Sequence, residues 1–474
     1  MFYYISFLRP PPFTCPLTPI PSKNPTKGKS TSKHQPTHKS KDTTGKSPSS
    51  SAALVHITPQ ICNDLRTETY GDPAGHDIYY AWLKCAVPGA SAGPATPPAK
   101  LTTYRAADAY KALPVPAPRG AAPGERWRLA LWSERGGRPP SHPRVAVDLC
   151  GAALGAVPLP VLSEPIVFGG AAGAEKQGRI SRVYRLGSCA GGEKDSLLTV
   201  TEQTGYALEK KIWDSGIGLS SWICELASSH GNSEAELVRS MRDTLLGPGK
   251  RRFVELGAGT GIVSLTITAL RQALQRKRLL RLPKEACTDD AEASIEEEAD
   301  QIFITDLPSA IPLLEENIAQ NAHLFAAHHN SAPDPAPPSD VQAQTIEPAL
   351  HAMELDWDKP EIPRPISSGG ALDAIIMADV TYNSDVFPEL VSTVKSLIAL
   401  TPASTPPPMV LLGYKQRHPD ERVLWDMVQR EAGVRLIRVG ERRGSPRPPE
   451  EITGHGEGEV EVWIGRVEKQ PDSA

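Results

Sequence analysis

The second half of the chain alternates short apolar segments with longer amphipathic ones. Continuous apolar segments that alternate with stretches of helical spacing are typical of a parallel β-sheet covered by helices on both faces. The last two apolar segments have no helical pattern between them, so we expect them to pair antiparallel as a closing hairpin. The pattern therefore predicts an α/β fold with seven strands, which read RRFVELG, QIFITD, HAMELDW, ALDAIIMAD, MVLLGYK, VRLIRVG and VEVWIGRV.

A hairpin and a helix are predicted directly ahead of this sheet. Residues 179–203 alternate apolar and polar positions across a glycine-containing turn, which is the pattern of a β-hairpin. The segment that follows has apolar residues at helical spacing, and Asp214 and Ser215 are placed to cap its start.

The 474 residues include 47 prolines and 38 glycines, so we expect one well-folded domain and much irregular sequence. Residues 1–50 become lysine-rich and nearly free of apolar side chains after a short apolar start, and we expect a disordered basic tail. Residues 51–175 carry short apolar pieces between Pro/Gly/Ala-rich stretches; they form either a small accessory unit or part of the larger domain. We expect the main domain to span residues 176–470, with inserts near 273–300 and 326–345.

Composition limits the classes of partner. The net charge is −4, which offers no overall basic field for nucleic acid, and we expect no direct nucleic-acid site. The apolar start is far shorter than the roughly 20 residues that span a bilayer, and we expect no membrane association. The seven cysteines are scattered and form no CxxC pair, so we predict no metal site and a reducing location, the cytoplasm or also the nucleus. We expect a monomer.

A glycine-rich turn follows the first predicted strand. The strand ends at Glu255, and Gly257, Ala258, Gly259 and Gly261 then bring a backbone almost without side chains to the ligand crevice of an open parallel sheet. The spacing is GxGxG with an acid ahead of it, whereas the dinucleotide fingerprint is GxGxxG. An acid here would repel phosphates and suits a ligand with an ammonium group. A purely structural turn is the alternative.

The next strands also end in side chains that could bind a ligand or take part in a reaction. Asp306 ends the second strand, where a carboxylate could accept hydrogen bonds from ribose hydroxyls, although it could equally cap the following helix. Trp357 follows the third strand as a flat apolar surface or as simple packing. Ala378, Asp379 and Tyr382 follow the fourth strand; the alternatives for the last two are a helix cap and a packed aromatic ring.

These motifs together resemble methyltransferase family 16, the seven-strand lysine methyltransferases similar to the methyltransferase-like 21 proteins. The resemblance runs from about residue 180 to 467 and includes a complete DxxY motif at residues 379–382. It implies the class I methyltransferase fold, Rossmann-like with a closing antiparallel hairpin, and S-adenosylmethionine as cofactor. The residues that the resemblance assigns to the cofactor site are Trp213, Gly257, Ala258, Gly259, Asp306, Trp357 and Ala378, beside Glu255 and Gly261 from the glycine-rich turn.

The implied activity is methyl transfer to a lysine side chain of a protein such as a translation elongation factor or a chaperone. Holding the amine and the methyl group in line supplies most of the rate in such a reaction. We assign two catalytic residues: Asp379 accepts a hydrogen bond from the incoming amine, and the Tyr382 ring walls the channel. The long region before residue 176 and the acidic insert depart from compact members of the family and bear on the choice of substrate.

Two other functions stay open at this point. A non-catalytic scaffold could present its tail and inserts to partners, although it would have no need of Glu255, Asp306, Asp379 and Tyr382 together. A small-molecule methyltransferase on the same fold is the second alternative. Calorimetry with S-adenosylmethionine would show no heat for a scaffold. A labelled methyl group would appear only in small metabolites for a small-molecule enzyme.

Overall fold

The structure is a computed structural model that describes residues 1–17, 53–86, 94–134, 140–171, 173–187, 196–228, 235–279, 299–326, 348–359, 361–444 and 458–468. The strands of the N-terminal part are β1 Tyr4–Arg9, β2 Thr14–Cys15, β3 Leu54–Cys62, β4 His76–Lys84, β5 Ala99–Tyr104, β6 Leu113–Pro116, β7 Arg126–Glu134, β8 Ala146–Asp148, β9 Val161–Ser163, β10 Ile166–Phe168, β11 Arg179–Arg185 and β12 Leu197–Gln203. The later strands are β13 Arg252–Leu256, β14 Gln301–Asp306, β15 Ala349–Glu354, β16 Ala374–Ala378, β17 Met409–Tyr414, β18 Val434–Arg443 and β19 Glu459–Val467. The α-helices are α1 Asp214–Ser228, α2 Glu236–Leu246, α3 Ile262–Leu279, α4 Ile311–Gln320, α5 Ala322–Phe325, α6 Arg364–Ser367, α7 Phe387–Ala399 and α8 Val423–Ala432.

The seven later strands form one sheet in the order β15-β14-β13-β16-β17-β19-β18. Strands β13 to β17 are parallel, whereas β19 runs antiparallel to both β17 and β18. Both the predicted α/β fold and the predicted closing hairpin are confirmed. The chain crosses from one side of β13 to the other between β15 and β16, and ligands of open α/β sheets bind beyond the carboxyl ends of the strands at such a point.

Helices cover both faces of this sheet because successive strand residues point to opposite sides. In β13, Phe253 packs into the core beneath α1, α2 and α3. Its neighbours Val254 and Leu256 pack into the opposite core with α6, α7 and α8. This two-sided burial explains why the strands read as continuous apolar runs rather than as an alternating pattern.

The prediction of a disordered tail over residues 1–50 is wrong for residues 1–17. Strand β1 pairs antiparallel with β3, and Phe2, Ile5 and Phe7 are buried. The short apolar start is a strand whose partner lies about fifty residues further along the chain, and local composition does not reveal a partner at that distance. Residues 18–50 lie outside the described residues.

Residues 51–175 form two sheets together with the start of the chain and the predicted hairpin. A three-stranded sheet has the order β1-β3-β6, and a nine-stranded sheet contains β2, β4, β5 and β7 to β12. The predicted hairpin is confirmed as β11 and β12, but β11 also pairs with β8 and β9. The domain boundary predicted at residue 176 therefore divides a single sheet. Helix α3 continues to Leu279, so the first predicted insert can start only after that residue; residues 280–298 and 327–347 lie outside the described residues.

The N-terminal strands pack directly against the α/β unit. Phe2, Tyr4 and Tyr184 share one buried core with Ile217 and Trp222 of α1. Asn317 of α4 bonds to the backbone of β12, since its amide accepts from Thr201 N at 2.9 Å and donates to Thr201 O at 3.0 Å. Among the described residues, no helix has the length and apolarity needed to cross a membrane.

Candidate functional site

A cavity of about 380 Å³ lies beyond the carboxyl ends of β13, β14, β15 and β16. It occupies the crossover point at which the fold is expected to bind a ligand. Ten of the eleven sequence-predicted site residues line it: Trp213, Glu255, Gly257, Ala258, Gly259, Asp306, Trp357, Ala378, Asp379 and Tyr382.

The glycine turn after β13 forms the floor of the cavity. Gly257 and Gly259 have φ of 60° and 59°, in the left-handed region that glycine enters without a steric penalty. A Cβ on Gly257 would lie 3.1 Å from Val380 Cγ1 and 3.3 Å from Trp357 Cζ2. The turn is therefore a cradle that any side chain would fill, as expected for a backbone that approaches a ligand closely.

Gly261 is the predicted residue that does not line the cavity. A Cβ on it would lie 3.0 Å from Leu314 Cδ2 and 3.5 Å from Ile304 Cγ2. Its φ of 76° is also in the left-handed region. Gly261 thus allows the start of α3 to pack closely against α4 and β14, which is a structural reason for this third glycine.

Glu255 is buried at the end of β13, and its Oε2 accepts a hydrogen bond from Ser264 N at 3.0 Å. Burial raises the pKa of Glu255 to about 7, and the nearby Asp306 acts in the same direction. Within the described part of the chain, no basic side chain forms an ion pair with either acid. A cationic ligand group would supply the missing partner, and this is the chemistry predicted from the acid ahead of the glycines.

Asp306 ends β14 and bonds to the glycine turn. Its Oδ2 accepts from Gly259 N at 2.7 Å and its Oδ1 accepts from Leu307 N at 2.7 Å. The alternative that it caps the next helix is wrong, because α4 begins at Ile311 and its N-cap residue is Ala310. Burial raises the pKa of Asp306 to about 6. Each carboxylate oxygen accepts more than one hydrogen bond, so both can also receive ligand hydroxyls.

Two tryptophans and a small residue shape the walls. Trp357 is half-buried, packs against the core beneath α7 and faces Gly257. Ala378 ends β16, and its small side chain leaves room in the cavity at that strand end. Trp213 donates from Nε1 to Leu208 O at 3.0 Å, and the guanidinium of Arg417 lies 5.2 Å from its ring centroid. The walls thus offer flat apolar surface close to buried acids.

Asp379 and Tyr382 face the cavity from the loop after β16. Asp379 is buried with φ of 61°, and both of its carboxylate oxygens accept from Arg417, Oδ1 from Nε at 3.3 Å and Oδ2 from Nη2. Burial raises the pKa of Asp379, while Arg417 opposes that shift. Asn383, not Asp379, accepts from Asp385 N at the next helical turn, so the alternative of a helix cap is wrong. Tyr382 is 55% exposed, which excludes the alternative of a packed core ring.

Several residues of the site were not predicted from the sequence. Arg417 follows β17 just as Asp379 follows β16, and extending the search to the fifth strand end would have found it. Lys211 and Glu209 precede the predicted Trp213 in a region read only for its helix start. Leu65 comes from the turn after β3, and no motif in residues 51–175 points to it. Asp214 was expected to cap α1, but its carboxylate accepts from Phe2 N, Tyr4 Oη and Lys415 Nζ instead.

The cavity is acidic. Its ionisable lining comprises six acids and two bases, a formal balance of −4: Glu209, Glu255, Asp306, Asp356, Asp358 and Asp379 against Lys211 and Arg417. Such a lining favours cationic ligands over phosphates. No group of three or more potential metal ligands is found among the described residues.

The family match and one relative in sequence are both lysine methyltransferases. Residues 193–333 and 338–431 match the lysine methyltransferase family, methyltransferase family 16. The protein-lysine N-methyltransferase EFM6 of Saccharomyces cerevisiae is 24% identical over 250 residues, which are 52% of this chain and 79% of EFM6. Among solved structures, precorrin-6y C5,15-methyltransferase from Geobacter metallireducens has a TM-score of 0.27 at 8% identity, covering 50% of this chain and 94% of that one. An O-methyltransferase family protein from Burkholderia thailandensis has a TM-score of 0.27 at 12% identity, covering 53% and 60%.

Proposed function

This chain belongs to the lysine methyltransferase family, and we propose that it transfers methyl groups from S-adenosylmethionine to a lysine side chain of a cellular protein. The observation that carries the proposal is the convergence of Glu255, Asp306 and Asp379 on one cavity beyond the strand ends. A methyl donor with an ammonium and a sulfonium group, and an acceptor that arrives as an ammonium, both suit a cavity whose lining is acidic.

The residues present fit the cofactor. Glu255 would bind its ammonium group, and Asp306 would accept hydrogen bonds from its ribose hydroxyls. The Gly257–Gly259 cradle would let the protein backbone approach the cofactor closely. Trp213, Trp357 and Ala378 would complete the walls. When bound, S-adenosylmethionine supplies an electrophilic methyl group on a cationic sulfur.

Asp379 and Tyr382 would handle the acceptor. A lysine ammonium has a pKa of about 10.4 and must lose a proton before its lone pair can attack a methyl group. Asp379 accepts a hydrogen bond from the amine and fixes its direction, and positioning of this kind supplies much of the rate. The Tyr382 ring walls the passage. The proton leaves to solvent through the open mouth.

The surroundings of the mouth favour a protein over a small polar substrate. Leu65, Leu208, Leu307 and Tyr382 all line the cavity, yet they are 45%, 44%, 46% and 55% exposed. We call these four residues the apolar rim. Exposed apolar patches of this kind mark contact sites for other macromolecules. A polypeptide that presents a lysine between apolar side chains would bury the rim, whereas a small metabolite would leave most of it in water.

The resemblance to family 16 methyltransferases supports a target class. We propose a translation elongation factor or a chaperone, with elongation factors favoured for a chain that has a long N-terminal region. The proposed location is the cytoplasm, with the nucleus as a second compartment, in keeping with the scattered cysteines.

Two matched carboxylate-to-amide variants test the proposal. Asp306→Asn should weaken S-adenosylmethionine binding by about tenfold or more, because hydrogen bonds to a charged acceptor contribute roughly 1.5–3 kcal/mol. Asp379→Asn should keep the cofactor Kd within about twofold and lose most methyl transfer. Binding is measured by calorimetry and transfer by the incorporation of labelled methyl groups. Undiminished turnover in Asp379→Asn would reject the assigned role of that residue.

The target is found by labelling. The purified chain is incubated with methyl-labelled S-adenosylmethionine and an extract of cells that lack it, and each band that acquires label is identified by mass spectrometry. Label on a lysine of a protein supports the proposal. Label confined to small metabolites supports a small-molecule methyltransferase, and absence of cofactor binding supports a scaffold.

A further inference from the structure

A buried cluster of charged side chains lies behind the cavity wall. It consists of Asp64, Asp214, Asp379, Lys415 and Arg417, and none of their side chains is more than 12% exposed. The three acids and two bases carry a formal balance of −1. We call these five residues the buried ionic cluster. Four belong to the α/β unit, whereas Asp64 comes from the turn after β3 in the N-terminal region.

Asp64 joins the two bases of this cluster. Lys415 Nζ donates to Asp64 Oδ1 at 3.1 Å and to Asp214 Oδ2 at 2.9 Å. Arg417 Nη2 donates to Asp64 Oδ2 at 3.0 Å and also to Asp379 Oδ2. Arg417 is thus shared between Asp379, which lines the cavity, and Asp64, which is buried behind it.

The charge of Asp64 is strongly maintained. Burial raises its pKa, but Lys415 and Arg417 outweigh that effect, so the pKa of Asp64 lies at about 2. Ionised groups that are taken out of water carry a large desolvation cost, and buried ion pairs are weak evidence for stability. Attachment of the N-terminal region does not depend on Asp64 alone, since Phe2 N and Tyr4 Oη already bond to Asp214. Attachment alone therefore does not account for the buried charge of Asp64.

Asp379 needs such support because its backbone conformation is unusual. Only Arg66 and Asp379 have a positive φ among the described residues other than glycine. Aspartate tolerates this region better than most residues, but it still needs surrounding contacts to persist there. Arg417 supplies these contacts, and Arg417 is itself held between Asp64 and the ring of Trp213.

We propose that Asp64 of the N-terminal region is a positioning residue for methyl transfer, which acts through Arg417 to hold the Asp379 carboxylate at the cavity. This inference rests on the proposed function, in which Asp379 receives the acceptor amine. A lysine that bonds to Asp379 must share this carboxylate with Arg417. Asp64 remains as a second carboxylate partner of the guanidinium while the lysine is bound. The incoming ammonium also brings the balance of the buried ionic cluster from −1 to zero. The N-terminal region is then part of the catalytic unit.

The test is a double-mutant cycle in the full chain, with Asp64→Asn, Arg417→Gln and the combined variant. The probe is methyl-labelled S-adenosylmethionine with graded amounts of extract from cells that lack the protein; the readout is label in the band that the wild type labels. Asp64→Asn should lower the rate at saturating extract about tenfold or more, and leave the cofactor Kd and the half-saturating amount of extract within about twofold. The combined variant should be no slower than Arg417→Gln, because a residue that acts through another adds nothing once the other is gone.

Two further variants separate positioning from folding. Arg417→Lys keeps the positive charge but lacks the planar fork that reaches two carboxylates, so it should lose rate as Asp64→Asn does. Asp300→Asn is the matched control, since Asp300 pairs with Arg271 at 2.7 Å, is buried directly before β14 and does not line the cavity. It should lower stability and leave the rate per folded molecule unchanged.

Each outcome decides the proposal. A rate within twofold of wild type in Asp64→Asn or in Arg417→Lys overturns it, as does a combined variant whose losses multiply. A parallel loss of cofactor binding in Asp64→Asn also overturns it, since Asp64 would then act on the cofactor site. A wild-type chain that binds no cofactor and labels no band overturns the proposed function itself, whereas an active wild type with an unaffected Asp64→Asn variant overturns only the role of Asp64.

Discussion

Replacement of Glu255 by glutamine should make the protein more stable and its cofactor binding weaker. Glutamine has the shape of glutamate, and its amide oxygen can still accept the hydrogen bond from Ser264 N. The variant stands in for the neutral, protonated carboxyl, and so removes the charge that burial penalises. It therefore separates the cost of keeping a carboxylate without an ion-pair partner in the cavity from the benefit that this carboxylate gives to a cationic ligand.

The size of the stability effect follows from the pKa. Burial raises the pKa of Glu255 from 4.5 to about 7, and each pKa unit corresponds to about 1.36 kcal/mol. Because the folded-state pKa is the higher one, wild-type stability falls as the pH rises from 4.5 to 7 and then levels off. The loss amounts to about 3 kcal/mol. Glu255→Gln should be more stable by about that much at pH 8 and show no gain near pH 4.5.

Urea denaturation of both proteins without cofactor, at several pH values from 4.5 to 8, measures this difference. Calorimetry with S-adenosylmethionine should show a loss of roughly tenfold to a hundredfold in affinity, as expected for one charge-assisted hydrogen bond. Wild-type affinity should also rise with pH up to about 7, whereas that of the variant should not. Identical pH dependence of unfolding in the two proteins, or a variant that is less stable at pH 8, would refute the reasoning.

Two further predictions concern the mouth of the cavity and the scaffold behind it. Leu208→Ser should raise the half-saturating amount of extract severalfold and leave the cofactor Kd unchanged. Its control is Tyr110→Ser, at a residue that is 76% exposed and outside the cavity, which should change neither quantity. Equal effects of the two variants would argue against the apolar rim as a contact surface. Asp300→Asn should lower the free energy of unfolding by about 3–5 kcal/mol, because it leaves the buried guanidinium of Arg271 without its carboxylate partner at 2.7 Å. A change under 1 kcal/mol in urea denaturation would show that water or a neighbouring group replaces that partner.

Much of the α/β unit could be predicted from sequence because each of its features has a local signal. A strand buried on both faces appears in the sequence as an apolar run. The residue at its carboxyl end lies at the ligand crevice of an open parallel sheet. Glu255, Asp306 and Asp379 could be placed together on that basis alone. Gly261 shows the limit of such reasoning, since its glycine pattern is the same but the reason for it is close packing against α4.

The N-terminal region could not be predicted in the same way because its structure depends on distant partners. Strand β1 is stabilised by pairing with β3, and nothing within residues 1–17 identifies that partner. Asp64 is hidden for the same reason. It lies in a turn without a recognisable motif, and its importance is visible only once Lys415 and Arg417 are brought to it from a site about 350 residues away.

The left-handed backbone at Asp379 decides which inert form of this protein would serve best for catching its partners in cells. Alanine or a β-branched residue would strain the loop there, whereas asparagine tolerates the same conformation and has nearly the same outline. An Asp379→Asn bait should therefore keep an undistorted entrance and hold a client that it cannot modify. Proteins enriched on that bait, relative to the Leu208→Ser chain, would be the first to examine for methylated lysines.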